Sequence, residues 1–219
     1  MRDLGKLLRK EFRLAAMPLT YFFTAGALFV MIPNYPALVG AFFVCLGIFY
    51  SFQSAREAND VLYTALLPLP KKAFVEAKFA FTGVIQAAAF LLFVLFTGIR
   101  TALGDLPAYR DSALMKPNLA MLGYVLLIYA LYNAVFLGGF FKTAYAIGKP
   151  FLLFALLTFP VIAAAEVLPH LPGLGFLNGA GDEGIWLRAA VLFASALLYA
   201  AVFVLSMKKA ERRFEKIDL

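Results

Sequence analysis

The chain has 219 residues, 63% of them hydrophobic and 15% charged, with a formal net charge of +7 and a mean hydropathy of +0.84. That leaves too little polar surface to coat a soluble globule. The single cysteine, Cys45, excludes a disulfide framework and a multi-cysteine metal site.

Leu4, Leu7, Leu8 and Phe12 recur at helical spacing between Arg2, Lys6, Arg9, Lys10 and Arg13, which predicts an amphipathic helix over 1–13 lying in the headgroup layer. The segment is read as retained rather than as a cleaved signal, with a bend into the first span near Pro18. Six apolar runs follow, near 14–32, 37–52, 79–99, 119–141, 150–168 and 186–207. Each approaches the ~20 residues that cross a ~30 Å hydrocarbon layer, and only helices or closed barrels satisfy their backbone there. The expected fold is therefore an all-α membrane protein: one domain over 1–219, with six transmembrane helices, an N-terminal interfacial helix and no appended soluble module. Pro33-Asn34-Tyr35-Pro36 makes the first two spans a hairpin.

The loop between spans two and three carries the polar information. Ser54-Ala55-Arg56-Glu57 has capping-box spacing and predicts a short cytoplasmic helix within 54–67, ended by Pro68 and Pro70. Val61, Leu62, Ala65 and Leu66 are expected on its anchored face, and Arg56, Glu57, Asp60 and Thr64 largely on the exposed side. Anionic lipid would repel Glu57 and Asp60, so the exposed side suits a protein partner. Between spans five and six, Leu171, Leu174, Phe176 and Leu177 precede Asp182 and Glu183. These apolar residues need cover, either by dipping into the outer leaflet against protein or by packing over the bundle.

The basic residues alternate sides. Arg2, Lys6, Arg9, Lys10 and Arg13, then Arg56, Lys71, Lys72 and Lys78, then Lys142 and Lys149, then Lys208, Lys209, Arg212, Arg213 and Lys216 share one side. These are sixteen of the twenty, and Arg100, Arg110, Lys116 and Arg188 take the other. By the positive-inside rule both termini are cytoplasmic. Anionic headgroups account for this collar, so no nucleic-acid partner is expected.

No Asp, Glu, Lys, Arg or His sits deep within a span. A proton or sodium relay needs such groups, so energy for transport must come from another chain. Gln86, Tyr129, Tyr132 and Asn133 are the polar candidates for a substrate path, or else interhelical glue. Glu166 is expected at the outer interface, and Gly138-Gly139 either admits close helix contact or loosens the helix. His170 is the only histidine in the sequence, so no second histidine can share a metal with it, and no serine has a nucleophile setting.

Asp60-Val61-Leu62 followed by Leu67-Pro68-Leu69-Pro70-Lys71-Lys72-Ala73-Phe74-Val75-Glu76-Ala77-Lys78-Phe79 resembles the permeases of ABC-2 type transporters, in their small six-span bacterial branch. The resemblance implies a plasma-membrane permease, a homodimer or pseudodimer with the homodimer favoured over a heterodimer, with two separate ABC ATPase subunits. The loop helix would be the coupling helix, making Arg56, Glu57, Asp60, Tyr63, Thr64, Lys71 and Lys72 the ATPase-coupling residues. Members of that branch export amphipathic peptides, including bacteriocins and phenol-soluble-modulin-like toxins. No cofactor is expected in this chain: Gly148-Lys149 is followed by Pro150 and lacks the phosphate-loop glycine upstream, so ATP and Mg belong to the partner. The alternative is the substrate-capture subunit of a vitamin-type importer, which needs a polar pocket at the outer side. An intramembrane enzyme fails for want of a catalytic pair.

Overall fold

A computed structural model describes residues 2–104, 106–110, 114–179 and 184–217. Asp182 and Glu183 lie outside the described residues. All regular structure among the described residues is helical. Five helices are long and apolar enough to cross a membrane, and six spans result when the bent pair at the N-terminus counts as one.

That pair begins with α1 (Arg2–Lys10), which runs into a π-turn, Glu11–Ala15. The chain then bends by 96°. Ala16 and Met17 are extended at the corner, as a residue before proline prefers, and Pro18 opens α2 (Pro18–Thr24) where its missing N–H costs nothing. Ser51 Oγ accepts the Met17 N–H at 3.1 Å and lies 2.6 Å from the Thr20 hydroxyl, pinning the corner. α2 continues as a 3₁₀ helix, Ala25–Met31. Seven α residues and seven 3₁₀ residues reach about 24 Å, where fourteen α residues reach about 21 Å.

The second span, α3 (Val39–Glu57), lies against this hairpin arm so closely that a Cβ on Gly26 would meet the Gly40 carbonyl oxygen at 2.8 Å. α3 also corrects the capping-box expectation. It runs unbroken through Ser54 to Glu57, with the Ala58 N–H on the Ser54 carbonyl at 2.9 Å. Ser54 is interior to the helix rather than its cap, and Glu57 accepts from Gln53 at 3.1 Å. The break falls at Asn59, whose φ of 53° is left-handed, and the loop helix is the shorter α4 (Asp60–Ala65).

α5 spans Lys71–Ala102, about 48 Å of helix, so it projects beyond the ~30 Å hydrocarbon. Its first turns, including Lys71, Lys72 and Lys78, are the projecting part. α6 (Pro107–Arg110) is a single turn. The fourth span is α7 (Leu119–Tyr132), a π-turn at Asn133–Leu137 and α8 (Gly138–Thr143). It is the most enclosed span and packs along α10 (Ile185–Phe214), where a Cβ on Gly123 would lie 3.1 Å from Ser195 Oγ. α9 (Gly148–Val167) abuts α8 through Gly139, whose added Cβ would strike the Pro150 ring at 2.8 Å. Gly138-Gly139 is thus a point of close contact at its second glycine.

Between α9 and α10, two 3₁₀ turns, Leu168–His170 and Gly175–Asn178, sit over the start of α7. Asn178 Oδ1 accepts the Lys116 N–H at 2.5 Å, Asn118 Nδ2 donates to the Leu177 carbonyl at 2.7 Å, and Glu166 Oε2 accepts the Met115 N–H at 2.7 Å. Leu177 is buried and Leu174 and Phe176 are half-buried, so packing over the bundle covers these three, while Leu171 stays exposed at 47%.

Candidate functional site

Among the described residues, the densest arrangement of charge lies at the N-terminal end of α5, where three elements distant in sequence meet. Lys78 is 2% exposed and Glu11 1%. Lys78 Nζ lies 2.6 Å from Glu11 Oε2 and 3.2 Å from Asp60 Oδ2. Lys10 Nζ lies 2.6 Å from Asp60 Oδ1 and 3.1 Å from Glu11 Oε1, and donates to the Thr64 hydroxyl at 3.1 Å. Two ammoniums and two carboxylates therefore close a neutral ring. The Phe74 ring lies 5.5 Å from each ammonium and Phe52 5.3 Å from Lys78, adding cation–π attraction. Burial alone would raise the Asp60 carboxyl, but the Lys78 charge and then the Lys10 hydrogen bond hold it below the usual carboxylate range.

The ring decides how α4 sits. Asp60 and Thr64 are four residues apart and share a face, and that face is the anchored one. Leu62 (52% exposed), Tyr63 (68%) and Leu66 (82%) point away from the protein, with Leu67 beside them. The expected arrangement is thereby inverted: the polar face of α4 is inside and an apolar, aromatic ridge is outside. Val61 packs against the core as expected of the anchored face, whereas Leu62 and Leu66 do not.

The remaining predicted coupling residues surround α4 without joining the ring. Arg56 stacks on Tyr145 at 5.4 Å, and Glu57 is exposed. Lys71 donates to the Ile217 carbonyl at 2.5 Å, and Lys72 lies 3.6 Å from Glu211 and 3.7 Å from Glu76. Lys10, Glu11 and Lys78 were absent from the residues singled out for coupling. A signal existed: Glu11 is the one acid between Lys6 and Arg13, and Lys78 is the last cation before a long apolar run.

A second polar group lies within the bundle. Gln86 Nε2 donates to Asn133 Oδ1 at 3.2 Å, Asn133 Nδ2 donates to Gln86 Oε1 at 3.1 Å, and the Tyr199 hydroxyl donates to Gln86 Oε1 at 2.9 Å. Asn133 opens the π-turn, an irregularity common where a helix presents a functional side chain. Gln86 and Asn133 thus face each other rather than an open passage, and both are buried. Tyr129 and Tyr132 are also buried, and their hydroxyls have no hydrogen-bond partner.

Asn133→Leu is expected to destabilise the protein by about 1–2 kcal/mol, the upper range for interhelical amide bonds in membranes. It leaves one amide of Gln86 unmatched, so Gln86→Leu combined with it should cost less than the sum of the two. Thermal unfolding of the purified chain in detergent measures both.

Among the described residues no group of His, Cys, Asp and Glu side chains is placed to hold a metal. Neither a curated protein nor a solved structure matches the chain. The sequence pattern that describes the ABC-2 family transporter proteins matches it over residues 5–215, from within α1 to the end of α10. That span takes in all the membrane helices, the ion ring and the amide pair, so the chain belongs to the ABC-2 family of transporter proteins.

Proposed function

We propose that this membrane permease subunit is driven by a separate ABC ATPase seated on α4, and that it exports amphipathic peptides across a bacterial plasma membrane as a homodimer. The observation that carries the ATPase assignment is the inverted face of α4. A short helix whose polar side is consumed by an internal ion ring, and whose Leu62, Tyr63 and Leu66 face outward, needs an apolar surface to cover it. Tyr and neighbouring aliphatics are residues on which protein interfaces concentrate their energy. ATP and Mg are bound by that partner, and both termini lie on its side of the membrane.

The cargo assignment rests on what the spans offer. Their surfaces are Leu, Phe, Ala and Val, with a few amides and phenols and no charge at mid-depth. Such a path accepts apolar surface and gives an ion or sugar little to offset lost hydration. Gln86, Tyr129, Tyr132 and Asn133 are the proposed cargo contacts, reached when α5 and the fourth span part and the amide pair opens.

The chain is co-expressed with its ATPase, purified, and placed in inverted membrane vesicles with a fluorescent amphipathic helical peptide. ATP-dependent uptake of that peptide, and not of a hydrophilic peptide of equal length, is expected. Uptake without ATP, or of the hydrophilic peptide alone, contradicts the cargo reading. Orientation is tested separately in a Cys45→Ser background: Asn34→Cys is expected to react with an impermeant thiol reagent outside intact cells, and Tyr63→Cys only after lysis. Labelling of Tyr63→Cys from outside contradicts the six-span topology.

A further inference from the structure

The two ends of α5 treat positive charge differently. At the cytoplasmic end Lys78 is matched by two carboxylates. At the other end Arg100 is less deeply enclosed, at 7% exposure, yet its Nε and Nη1 atoms are buried with no hydrogen-bond partner. No acidic side chain among the described residues pairs with it. Thr97, one turn earlier and also 7% exposed, has a buried hydroxyl without a partner. Residues three apart share a helix face, so three buried donor atoms lie on one face without an acceptor among the described residues.

Two ordinary explanations account for part of this. A cation in the last turn of a helix is favoured by the backbone dipole, and the Tyr109 ring lies 3.1 Å from the guanidinium carbon, giving a stacking contact. Both act on charge or on the guanidinium face. Neither supplies an acceptor for in-plane N–H donors, and buried donors left empty in a native protein point to a group that belongs there.

The missing group is an anion, because the donors include a guanidinium, which holds phosphate oxygens in a planar, two-pronged fashion. Its setting selects the kind. Ile99, Leu103 and Leu106 beside it are exposed, so an anion arriving here carries acyl chains that cover them. Tyr109 is the cover over the guanidinium. It belongs to the single turn of α6 and is tied to the hairpin by one hydrogen bond, from its hydroxyl to the Met31 carbonyl at 3.1 Å.

We propose that Thr97 and Arg100 form a binding site for the phosphate of an outer-leaflet phospholipid, with Tyr109 as its displaceable cover. The leaflet rests on the topology proposed above; the phosphate site does not, so failure of one leaves the other standing.

The full-length chain is purified in detergent and titrated by native mass spectrometry with phosphatidylglycerol, with diacylglycerol of the same chains, and with inorganic phosphate. Phosphatidylglycerol is expected to bind and diacylglycerol to bind at least about tenfold more weakly, the scale of a charge-assisted hydrogen bond. Arg100→Gln should lose about tenfold in phosphatidylglycerol affinity, Arg100→Lys and Thr97→Val less, and Tyr109→Ala none. Arg100→Lys and Thr97→Val keep the question decidable should Arg100→Gln fail to fold. Equal binding of the two lipids, undiminished binding by Arg100→Gln, or no weakening in any of the Arg100 and Thr97 variants overturns the proposal. So does saturation by inorganic phosphate alone, or displacement of lipid by a peptide with a free carboxyl terminus but not by its amide, which would assign the donors to cargo.

Discussion

Replacing Lys78 with methionine is expected to lower the stability of the chain by about 3–5 kcal/mol, the cost of leaving a buried ion pair half empty. The substitution keeps the length and apolar stem of the side chain but leaves two carboxylates, Glu11 (1% exposed) and Asp60, to share the single Lys10 ammonium. Lys78→Met with Glu11→Gln should recover much of the loss, because the buried negative charge goes with the positive one. Thermal unfolding in detergent reads both variants. Equal instability of the single and double variants would show that the ring is not held together by its charges. The same ring fixes a pH dependence. Asp60 has its carboxyl lowered by Lys78 and Lys10, so its contribution is full above the ordinary carboxylate pKa of about 4. It is lost as pH falls below that through the lowered folded value. Unfolding temperature should therefore fall on acidification below about pH 4, and less steeply in Asp60→Asn.

Tyr63→Ala together with Leu66→Ala is expected to weaken ATPase binding by about 2–4 kcal/mol, roughly thirty- to a thousandfold, the scale of central interface residues. Both side chains already face solvent, at 68% and 82% exposure, so the isolated chain should unfold at an unchanged temperature. Reversing Glu57 and Asp60 is a poorer test of the same interface. Asp60 belongs to the ion ring, and its reversal damages the fold before it reaches the partner. Glu57→Lys alone should leave both stability and ATPase binding within about 0.5 kcal/mol of wild type, as exposed surface changes usually do. Affinity of the detergent-purified chain for the ATPase measures each variant.

The spans were legible because hydrophobic length needs no partner to be read, and the bend near Pro18 because proline acts on its own neighbours. The loop helix was half legible. Its existence and amphipathic spacing follow from residues 60–67, but which face turns inward is set by Lys10, fifty residues away, and by Lys78 on another helix. Periodicity gives two faces and not their sense. The capping box failed for a related reason. Ser-x-x-Glu marks a helix start only where the chain before it is not helical, and α3 arrives at Ser54 already wound. Gln86 and Asn133 were legible as the polar residues of the spans. Their mutual pairing, and the part of Tyr199 in it, depends on the register of three helices, which hydropathy does not carry.

If the outward ridge of α4 is the ATPase seat, Tyr63 lies within cross-linking distance of the ATPase. Tyr63→Cys in a Cys45→Ser background, co-expressed with the ATPase in cells, is treated with a short thiol-to-amine cross-linker before the membranes are solubilised. A product of permease plus ATPase is expected, lost when Leu66→Asp is added and absent when the cysteine is moved to Asn34. If Tyr63→Cys yields no such product while the two chains still purify together, the ATPase sits elsewhere and the coupling role of α4 is wrong.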